Sequence, residues 1–253
     1  MRFAILGSGS GGNASVVESS NHRVMIDCGF ALSDVCARAK RLDIDPATLD
    51  AILLTHEHGD HASGVGRLAR KYDIPVYLTP GTRRGARDLQ GARLHTFTPH
   101  ESFAIGDLQV QPFPVPHDAR EPCQFVIKHQ KQRVGVLSDL GSITVHVKAT
   151  LMNCDALMLE ANHDPEMLRN GPYPAKLKKR VGGNYGHLSN QQAASLLRAI
   201  RSDGLQKLVL THLSEKNNTP QLARAAICEV LEDDPAWCVC ASQNGMEDWT
   251  VLD

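Results

Sequence analysis

The sequence predicts an α/β fold in which two mixed β-sheets face each other and helices cover their outer sides. In each half of the chain, short apolar runs first follow one another and then alternate with helical runs. Clusters of polar residues come directly after the predicted strands. With 253 residues and 42% apolar content, the chain has enough material for a large buried core. We therefore expect residues 1–253 to form one two-sheet domain.

The predicted strands are short, rich in apolar and β-branched residues, and bounded by turn residues. In chain order they are Arg2–Leu6, Ser15–Glu18, Arg23–Ile26, Ala51–Leu54, Val76–Thr79, Leu94–Phe97, Leu108–Val115, Gln124–His129, Arg133–Ser138, Ala156–Leu159, Lys207–Thr211 and Trp237–Ala241. Only turns separate the first three, which predicts a meander at the start of the chain.

Helical periodicity separates the later strands. The predicted helices are Ser33–Leu42, Ala62–Tyr72, Thr82–Leu89, Ile143–Met152, Asn190–Arg201 and Pro220–Leu231. The last has the clearest start signal, because a threonine hydroxyl at Thr219 can cap the helix and Pro220 suits the first helical position.

A glycine-rich segment, Gly7–Asn13, joins the first two strands and contains the pattern G-x-G-x-x-G at Gly7, Gly9 and Gly12. A dinucleotide-binding turn of this pattern must open a helix whose N-terminus receives the pyrophosphate. Here the following segment, Ala14–Glu18, has the composition of a strand. We therefore expect a glycine-rich hairpin near the rim of an active site, and no nucleotide site.

The overall charge does not indicate a partner. The formal net charge is -1 and the pI is near 6.9, so a polyanion site would have to be a local patch.

The first apolar stretch is too short for a signal peptide, and no apolar run approaches the roughly 18 residues of a membrane span. The seven cysteines form no C-x-x-C pair. We expect a cytoplasmic protein without a membrane partner or a disulfide framework, and the sequence identifies no protein partner.

The strongest chemical signal is the heptapeptide Thr55–His61, which reads THEHGDH and follows an apolar strand. After a strand, residues two apart point the same way, so His56 and His58 can converge on one cation. Asp60 and His61, in the turn into the next helix, can address a second cation. Imidazoles and carboxylates together suit zinc, manganese or iron(II). The alternative, a polar loop whose histidines bind only water, leaves this clustering unexplained.

Three other apolar runs each end at one residue that can bind a metal. These residues are His117, Asp139 and His212. Each alone is equally consistent with an ordinary polar strand end. Together with the heptapeptide, they predict a centre for two divalent metal ions.

In this order the residues resemble those of metallo-β-lactamase-fold hydrolases, and the match runs over almost the whole chain. The resemblance implies a four-layer αβ/βα sandwich of two mixed β-sheets flanked by helices. It also implies two ligand sets that share one carboxylate. The first set is His56, His58, His117 and Asp139, and the second is Asp60, His61, His212 and again Asp139. Asp27 matches an early aspartate of the family that orients ligands, with a solvated strand-end acid as the alternative.

A finer resemblance is to the YycJ (WalJ/VicX) branch, which is similar to the ribonuclease Z group. The segments that carry it are Gly7–Asn13, Leu159–Asp164, Gly171–Pro174, Gly186–Asn190 and Thr211–Asn218. The resemblance implies a DNA exonuclease of 5′-to-3′ polarity that acts in DNA repair and uses manganese. From the donor chemistry we expect zinc or manganese, with iron as a further candidate. The expected nucleophile is a hydroxide shared by the two ions.

Other residues are assigned supporting roles by position. His187 lies where ribonuclease Z-like enzymes carry a non-ligand histidine, and we expect it to protonate the leaving oxygen, with Glu160 as its hydrogen-bond acceptor. The alternative for His187 is a contact at the start of the next helix. For His163, a packing role and a phosphate contact remain equal alternatives.

A run of basic residues close to Tyr173 is a candidate phosphate track, because cations beside an aromatic ring suit single strands. It consists of Lys176, Lys178, Lys179 and Arg180, with Arg169 just before it. A solvated helix face is the alternative. A second, weaker cluster is formed by Arg83, Arg84 and Arg87.

Two other functions compete with a DNA exonuclease. A hydrolase of small, for example cyclic, phosphodiesters would use the same metal ions and His187 but would not need the basic run. A regulatory binding protein with a relict metal site belongs to a different class. Every expected ligand is present, which counts against a relict site.

Overall fold

The computed structural model describes residues 1–232 and 236–253, and within them fourteen strands form two sheets of seven. The strands are β1 (Arg2–Gly7), β2 (Ala14–Glu18), β3 (Arg23–Ile26), β4 (Ala51–Leu53), β5 (Val76–Leu78), β6 (Leu94–Thr96), β7 (Phe103–Ile105), β8 (Leu108–Pro114), β9 (Cys123–His129), β10 (Gln132–Leu137), β11 (Ala156–Glu160), β12 (Lys207–Thr211), β13 (Cys238–Cys240) and β14 (Thr250–Val251).

Nine α-helices lie within the same described residues. They are α1 (Leu32–Arg41), α2 (Gly59–Ala62), α3 (Val65–Tyr72), α4 (Pro80–Gly85), α5 (Val145–Leu151), α6 (Pro165–Asn170), α7 (Ala175–Val181), α8 (Asn190–Ile200) and α9 (Pro220–Leu231). None of these helices is both long and apolar enough to cross a membrane.

Both sheets are mixed and follow the same plan. The first has the order β14-β1-β2-β3-β4-β5-β6, and the second has the order β13-β12-β11-β10-β9-β8-β7. In each, a run of antiparallel hairpins is followed by parallel strands, β3 to β6 in the first sheet and β10 to β13 in the second. The predicted meander and the later alternation with helices are therefore both confirmed.

The apolar core has three layers. Between the sheets, Phe3 and Ile5 of the first sheet belong to one buried cluster with Phe125 and Val209 of the second. A second cluster joins the outer face of the first sheet to α1 and α3, and a third joins the outer face of the second sheet to α5, α8 and α9. Each sheet is therefore buried on both faces, which confirms the four-layer αβ/βα sandwich.

Every predicted strand lies within one residue of its observed bounds, but two predicted helices are wrong in detail. The helix predicted at 82–89 is observed at Pro80–Gly85. The other is the helix predicted at 62–72. It is two helices, α2 and α3, that meet near Gly64. The Gly64 N–H donates to the carbonyl of Cys28 at 2.8 Å, and a Cβ at Gly64 would lie 1.9 Å from the Phe30 carbonyl oxygen. This close backbone contact explains the break. Helix α2 begins within the heptapeptide, at Gly59.

Candidate metal centre

Three of the expected site residues lie at strand ends in an unusual backbone conformation. Asp27 follows β3, Asp139 follows β10, and His212 follows β12. Their φ angles are +59°, +35° and +56°, in the left-handed region that non-glycine residues seldom adopt. Such conformations persist where the surrounding structure imposes them, and they often mark functional sites. All three residues belong to one buried cluster with the heptapeptide.

The first expected ligand set is brought together. The candidate ligand atoms of His56, His58, His117 and Asp139 lie within 4.8 Å of one another. His56 Nε2 is 3.1 Å from Asp139 Oδ2, and His117 Nε2 is 3.2 Å from His58 Nδ1. These residues come from the loop after β4, the loop after β8 and the end of β10, so both sheets contribute.

The second expected set shares Asp139 with the first. The candidate ligand atoms of Asp60, His61, Asp139 and His212 also lie within 4.8 Å of one another. His61 Nε2 is 2.9 Å from Asp139 Oδ2, and His212 Nε2 is 3.5 Å from Asp60 Oδ2. The heptapeptide therefore divides between two sets in the way that its spacing predicts.

The electrostatics and hydrogen bonding of these residues fit metal ions. Buried polar atoms normally have hydrogen-bond partners. Among the described residues, His56 Nε2, His212 Nε2 and Asp139 Oδ1 are buried side-chain atoms without one. All three belong to the two sets, and their nitrogen and oxygen donors suit divalent transition metals. We conclude that the residues present can bind metal ions.

Asp27 orients His61 of the second ligand set through a hydrogen bond. The His61 Nδ1–H donates to Asp27 Oδ2 at 2.7 Å, which leaves Nε2 directed towards Asp139. The Thr55 N–H donates to the other carboxylate oxygen of Asp27 at 2.8 Å. Asp27 is 2% exposed, so the alternative of a solvated strand-end acid does not apply. A carboxylate behind a metal-binding histidine fixes its orientation and raises its basicity.

Sequence reasoning missed three residues at this site. Asn13 Nδ2 lies 3.1 Å from His61 Nε2, and Asn162 Nδ2 donates to the carbonyl of His212 at 2.9 Å. Asp118 Oδ1 lies 3.5 Å from His117 Nε2. Asn13 lies at the end of the glycine-rich segment, whose predicted position at the site rim is confirmed. Asn162 lies in Leu159–Asp164, a segment that carries the resemblance to the YycJ branch, whereas no sequence signal distinguishes Asp118 from an ordinary loop residue.

His187 and Glu160 form the expected pair. The His187 Nδ1–H donates to Glu160 Oε1 at 2.7 Å, and the N–H groups of Leu140 and Leu188 donate to Glu160 Oε2. Glu160 is fully buried, whereas the His187 side chain is 20% exposed. His187 Nδ1 is also 3.4 Å from Asp139 Oδ1, and these residues with His212 could hold a metal ion.

The ionisable groups of the centre shift one another's pKa values. Burial lowers the pKa of His117 to about 4, so this ring is neutral near pH 7, as metal binding requires. Burial also opposes charge on His187, but the Glu160 and Asp139 carboxylates outweigh it and hold its pKa well above the usual value. Burial would raise the pKa of Glu160, yet the His187 charge lowers it to about 2. The pair therefore carries opposite charges.

A cleft of about 390 Å³ opens onto both ligand sets. Its lining includes His58, Asp60 and His187 of the centre, together with Tyr173 and Arg180. Residues 175–181 fold as α7, a helix that the sequence periodicity does not predict because prolines and a glycine precede it. This helix contributes Leu177, Arg180 and Val181 to the cleft, so Arg180 is the member of the basic run that lines it.

The predicted phosphate contacts are in different environments. Arg180 lines the cleft and forms an ion pair with Asp118, while the Lys178 ammonium donates to the Arg169 carbonyl at 2.7 Å. Lys176 and Lys179 are exposed. His163 is 3% exposed and is not among the residues that line the cleft, an arrangement consistent with a packing role.

The two-sheet sandwich and the histidine–carboxylate cluster at its edge define a hydrolase of the metallo-β-lactamase fold. Residues 22–213 match the Beta-lactamase superfamily domain, and the chain belongs to this superfamily.

Relatives named exodeoxyribonucleases match most of the chain. It is 34% identical to the protein named Exodeoxyribonuclease YycJ of Bacillus anthracis, over 92% of this chain and 90% of that protein. It is 33% identical to Exodeoxyribonuclease WalJ of Streptococcus pneumoniae, over 91% of this chain and 88% of that protein. The structure of the metallo-β-lactamase fold protein YhfI from Bacillus subtilis superposes with a TM-score of 0.76 at 19% identity, over 97% of each chain. The expected branch is therefore confirmed.

Proposed function

We propose that this protein is a cytoplasmic, metal-dependent exonuclease that removes nucleotides from DNA in the 5′-to-3′ direction during DNA repair. The observation that carries the proposal is the shared carboxylate of Asp139, which joins two ligand sets beside a cleft that also contains the His187–Glu160 pair. The relatives named exodeoxyribonucleases, which match about nine-tenths of the chain, support DNA as the substrate.

The metal ions would be held by the two sets described above. When bound, two such ions supply Lewis acidity, which lowers the pKa of a water molecule towards neutrality and offsets negative charge on a phosphodiester. The histidine and carboxylate donors suit zinc, manganese or iron, in keeping with the expectation from sequence.

The surrounding residues keep the ligands in place. Asp27 accepts from His61 Nδ1, and the Gly186 carbonyl accepts from His117 Nδ1 at 3.1 Å. In both rings Nε2 is the nitrogen that remains for the centre. Because these acceptors fix the ring orientation, the site needs little rearrangement when it binds substrate.

His187 would hold the proton for the leaving oxygen. Its Nδ1–H is bonded to Glu160, so the opposite ring nitrogen remains for the substrate in the cleft. Glu160 is itself fixed by two backbone N–H groups and therefore holds the ring in one orientation. Positioned proton transfer of this kind contributes about 10²–10⁴-fold to a rate.

A hydrolase of small phosphodiesters remains the competing proposal, because a cleft of about 390 Å³ is large enough for one small diester. The exposed lysines of α7 separate the two. We expect Lys176→Glu with Lys179→Glu to weaken degradation of a single-stranded oligonucleotide by about 10-fold or more at low salt, since each phosphate contact contributes electrostatically. Hydrolysis of bis(p-nitrophenyl) phosphate should change less than 2-fold. The measurement is kcat/KM for both substrates over a series of salt concentrations.

A matched control is Lys40→Glu with Lys131→Glu, which makes the same change in charge at two exposed lysines. Lys40 lies in α1, and Lys131 lies in the β9–β10 turn, at the opposite end of these strands from Asp139. Equal effects of the control and the α7 variant on DNA degradation would exclude a phosphate track on α7.

A further inference from the structure

A groove of about 680 Å³ adjoins the metal centre but is separate from the cleft that opens onto the ligands. Its volume is in the range of pockets that bind small organic groups. The ring-bearing residues that line it are Pro114, Pro116, His100, His146 and Tyr185. The ligand sets and the proposed proton donor do not account for this groove.

Hydrogen bonds tie the groove to the first ligand set. Pro116 directly precedes His117, and Tyr185 directly precedes Gly186, whose carbonyl accepts from His117 Nδ1 at 3.1 Å. The Asp118 N–H donates to the Tyr185 carbonyl at 3.0 Å. The groove wall and the ligand His117 therefore belong to the same two hydrogen-bonded segments. A group bound in the groove is held at a fixed distance from the metal centre.

Close packing of the backbone just after Asp139 also fixes the segment that contains Tyr185. Gly141, two residues after Asp139, is in such tight contact that a Cβ there would lie 2.4 Å from the Tyr185 Cα. The backbone at Tyr185 is therefore supported, whereas its side chain is 64% exposed. Val145, between the lining residues Thr144 and His146, is 84% exposed. The Tyr185 ring is therefore accessible on a fixed backbone, as stacking on a base requires.

The groove differs in charge from the cleft. The cleft contains Asp60, Asp118 and Asp139, whereas none of the described residues that line the groove carries a carboxylate. The groove presents an aromatic ring, imidazoles and proline rings, together with hydroxyl and amide groups that can form hydrogen bonds. This surface suits a flat, uncharged heteroaromatic group that is attached to an anionic backbone.

We propose that Tyr185 stacks against an unpaired nucleobase of the DNA strand whose terminal phosphodiester lies at the metal centre. The proposal rests on the function proposed above and adds a site for the base. Stacking on an aromatic ring accepts every base, because each has a π-face, so it suits an exonuclease that must advance through any sequence.

The test compares the wild type, Tyr185→Ala and Tyr185→Phe on single-stranded oligonucleotides with intact ends and with an abasic nucleotide at the 5′ or the 3′ end. We expect Tyr185→Ala to raise KM about 5- to 100-fold on the intact oligonucleotide, as removal of one base-stacking ring does. Tyr185→Phe should remain near the wild type. On the oligonucleotide that lacks the stacked base, the wild type and Tyr185→Ala should agree within about 2-fold.

Met152→Ala is the control, since Met152 is 48% exposed at the end of α5 and does not line the groove. It should behave as the wild type, and metal content measured by mass spectrometry should be the same in all variants. An equal KM for Tyr185→Ala and the wild type on intact oligonucleotides would overturn the stacking proposal. So would an equal loss on intact and abasic oligonucleotides.

A binding measurement separates this proposal from the nuclease proposal. Fluorescence anisotropy of a labelled oligothymidylate is recorded with Asp60→Ala and with Asp60→Ala/Tyr185→Ala, so that cleavage does not interfere. A Kd that is at least about 5-fold weaker without Tyr185 supports the stacking site, even if the wild type cleaves no DNA. An unchanged Kd overturns it, even if the wild type is an active nuclease.

Discussion

Asp139→Asn is expected to lower hydrolysis by about 10³-fold or more, because it removes the one carboxylate that both ligand sets share. A metal pair supplies several kcal/mol of charge stabilisation, and each ~1.4 kcal/mol is tenfold in rate. Asparagine keeps the volume of the 2% exposed side chain and tolerates the φ of +35°. The measurement is kcat/KM on DNA and on bis(p-nitrophenyl) phosphate, with metal content determined on the same sample.

Asp43→Asn is the matched control for this change. Asp43 is exposed, has a φ of +54° and lies in the loop after α1, so it undergoes the same substitution in the same backbone conformation. It should retain wild-type activity. If Asp139→Asn retained both activity and metal content, that result would contradict the role of Asp139 as a ligand shared by both sets.

His187→Gln is expected to lower DNA hydrolysis by about 10²–10⁴-fold, the usual contribution of a positioned proton donor. The loss should be much smaller on bis(p-nitrophenyl) phosphate, since p-nitrophenolate leaves without being protonated. This difference between leaving groups identifies a proton donor. The measurement is the ratio of kcat on the two substrates for the wild type and the variant. His95→Gln, an exposed histidine on β6, is the control and should leave both rates unchanged.

A metal-ligand role for His187 would give a different result from a proton-donor role. His187 with Asp139, Glu160 and His212 forms a third group whose ligand atoms lie close enough to hold an ion. A ligand role would produce an equal loss on both substrates together with reduced metal content. That outcome would contradict the proton-donor assignment and leave the two main ligand sets unaffected.

Much of the fold could be predicted because its strands are apolar, short and separated by turn residues. The elements that were missed have weak local signals. Strands β7 and β14 have three and two residues, and α6 and α7 are separated by Gly171, Pro172 and Pro174, which interrupt any periodic pattern. Tertiary packing, and not propensity, forms such elements.

The local part of the candidate site could be predicted from the sequence, whereas its contacts between distant residues could not. The heptapeptide places two imidazoles and an Asp–His pair within seven residues, so its division between two ligand sets follows from local geometry. The contact between Asn162 and His212 joins residues 50 positions apart and depends on the pairing of β11 with β12. Contacts of this kind require the sheet order, which a single sequence does not contain.

The most direct test of the proposed function is the degradation of DNA labelled at its 5′ or 3′ end, single- and double-stranded, in the presence of divalent metal ions. Wild type and Asp60→Ala are compared, with bis(p-nitrophenyl) phosphate hydrolysis measured alongside. We expect progressive loss of DNA by the wild type, with the 5′ label released first, and no degradation by Asp60→Ala. Turnover of the small diester with DNA left intact would contradict an exonuclease, and unchanged degradation by Asp60→Ala would contradict the metal centre itself.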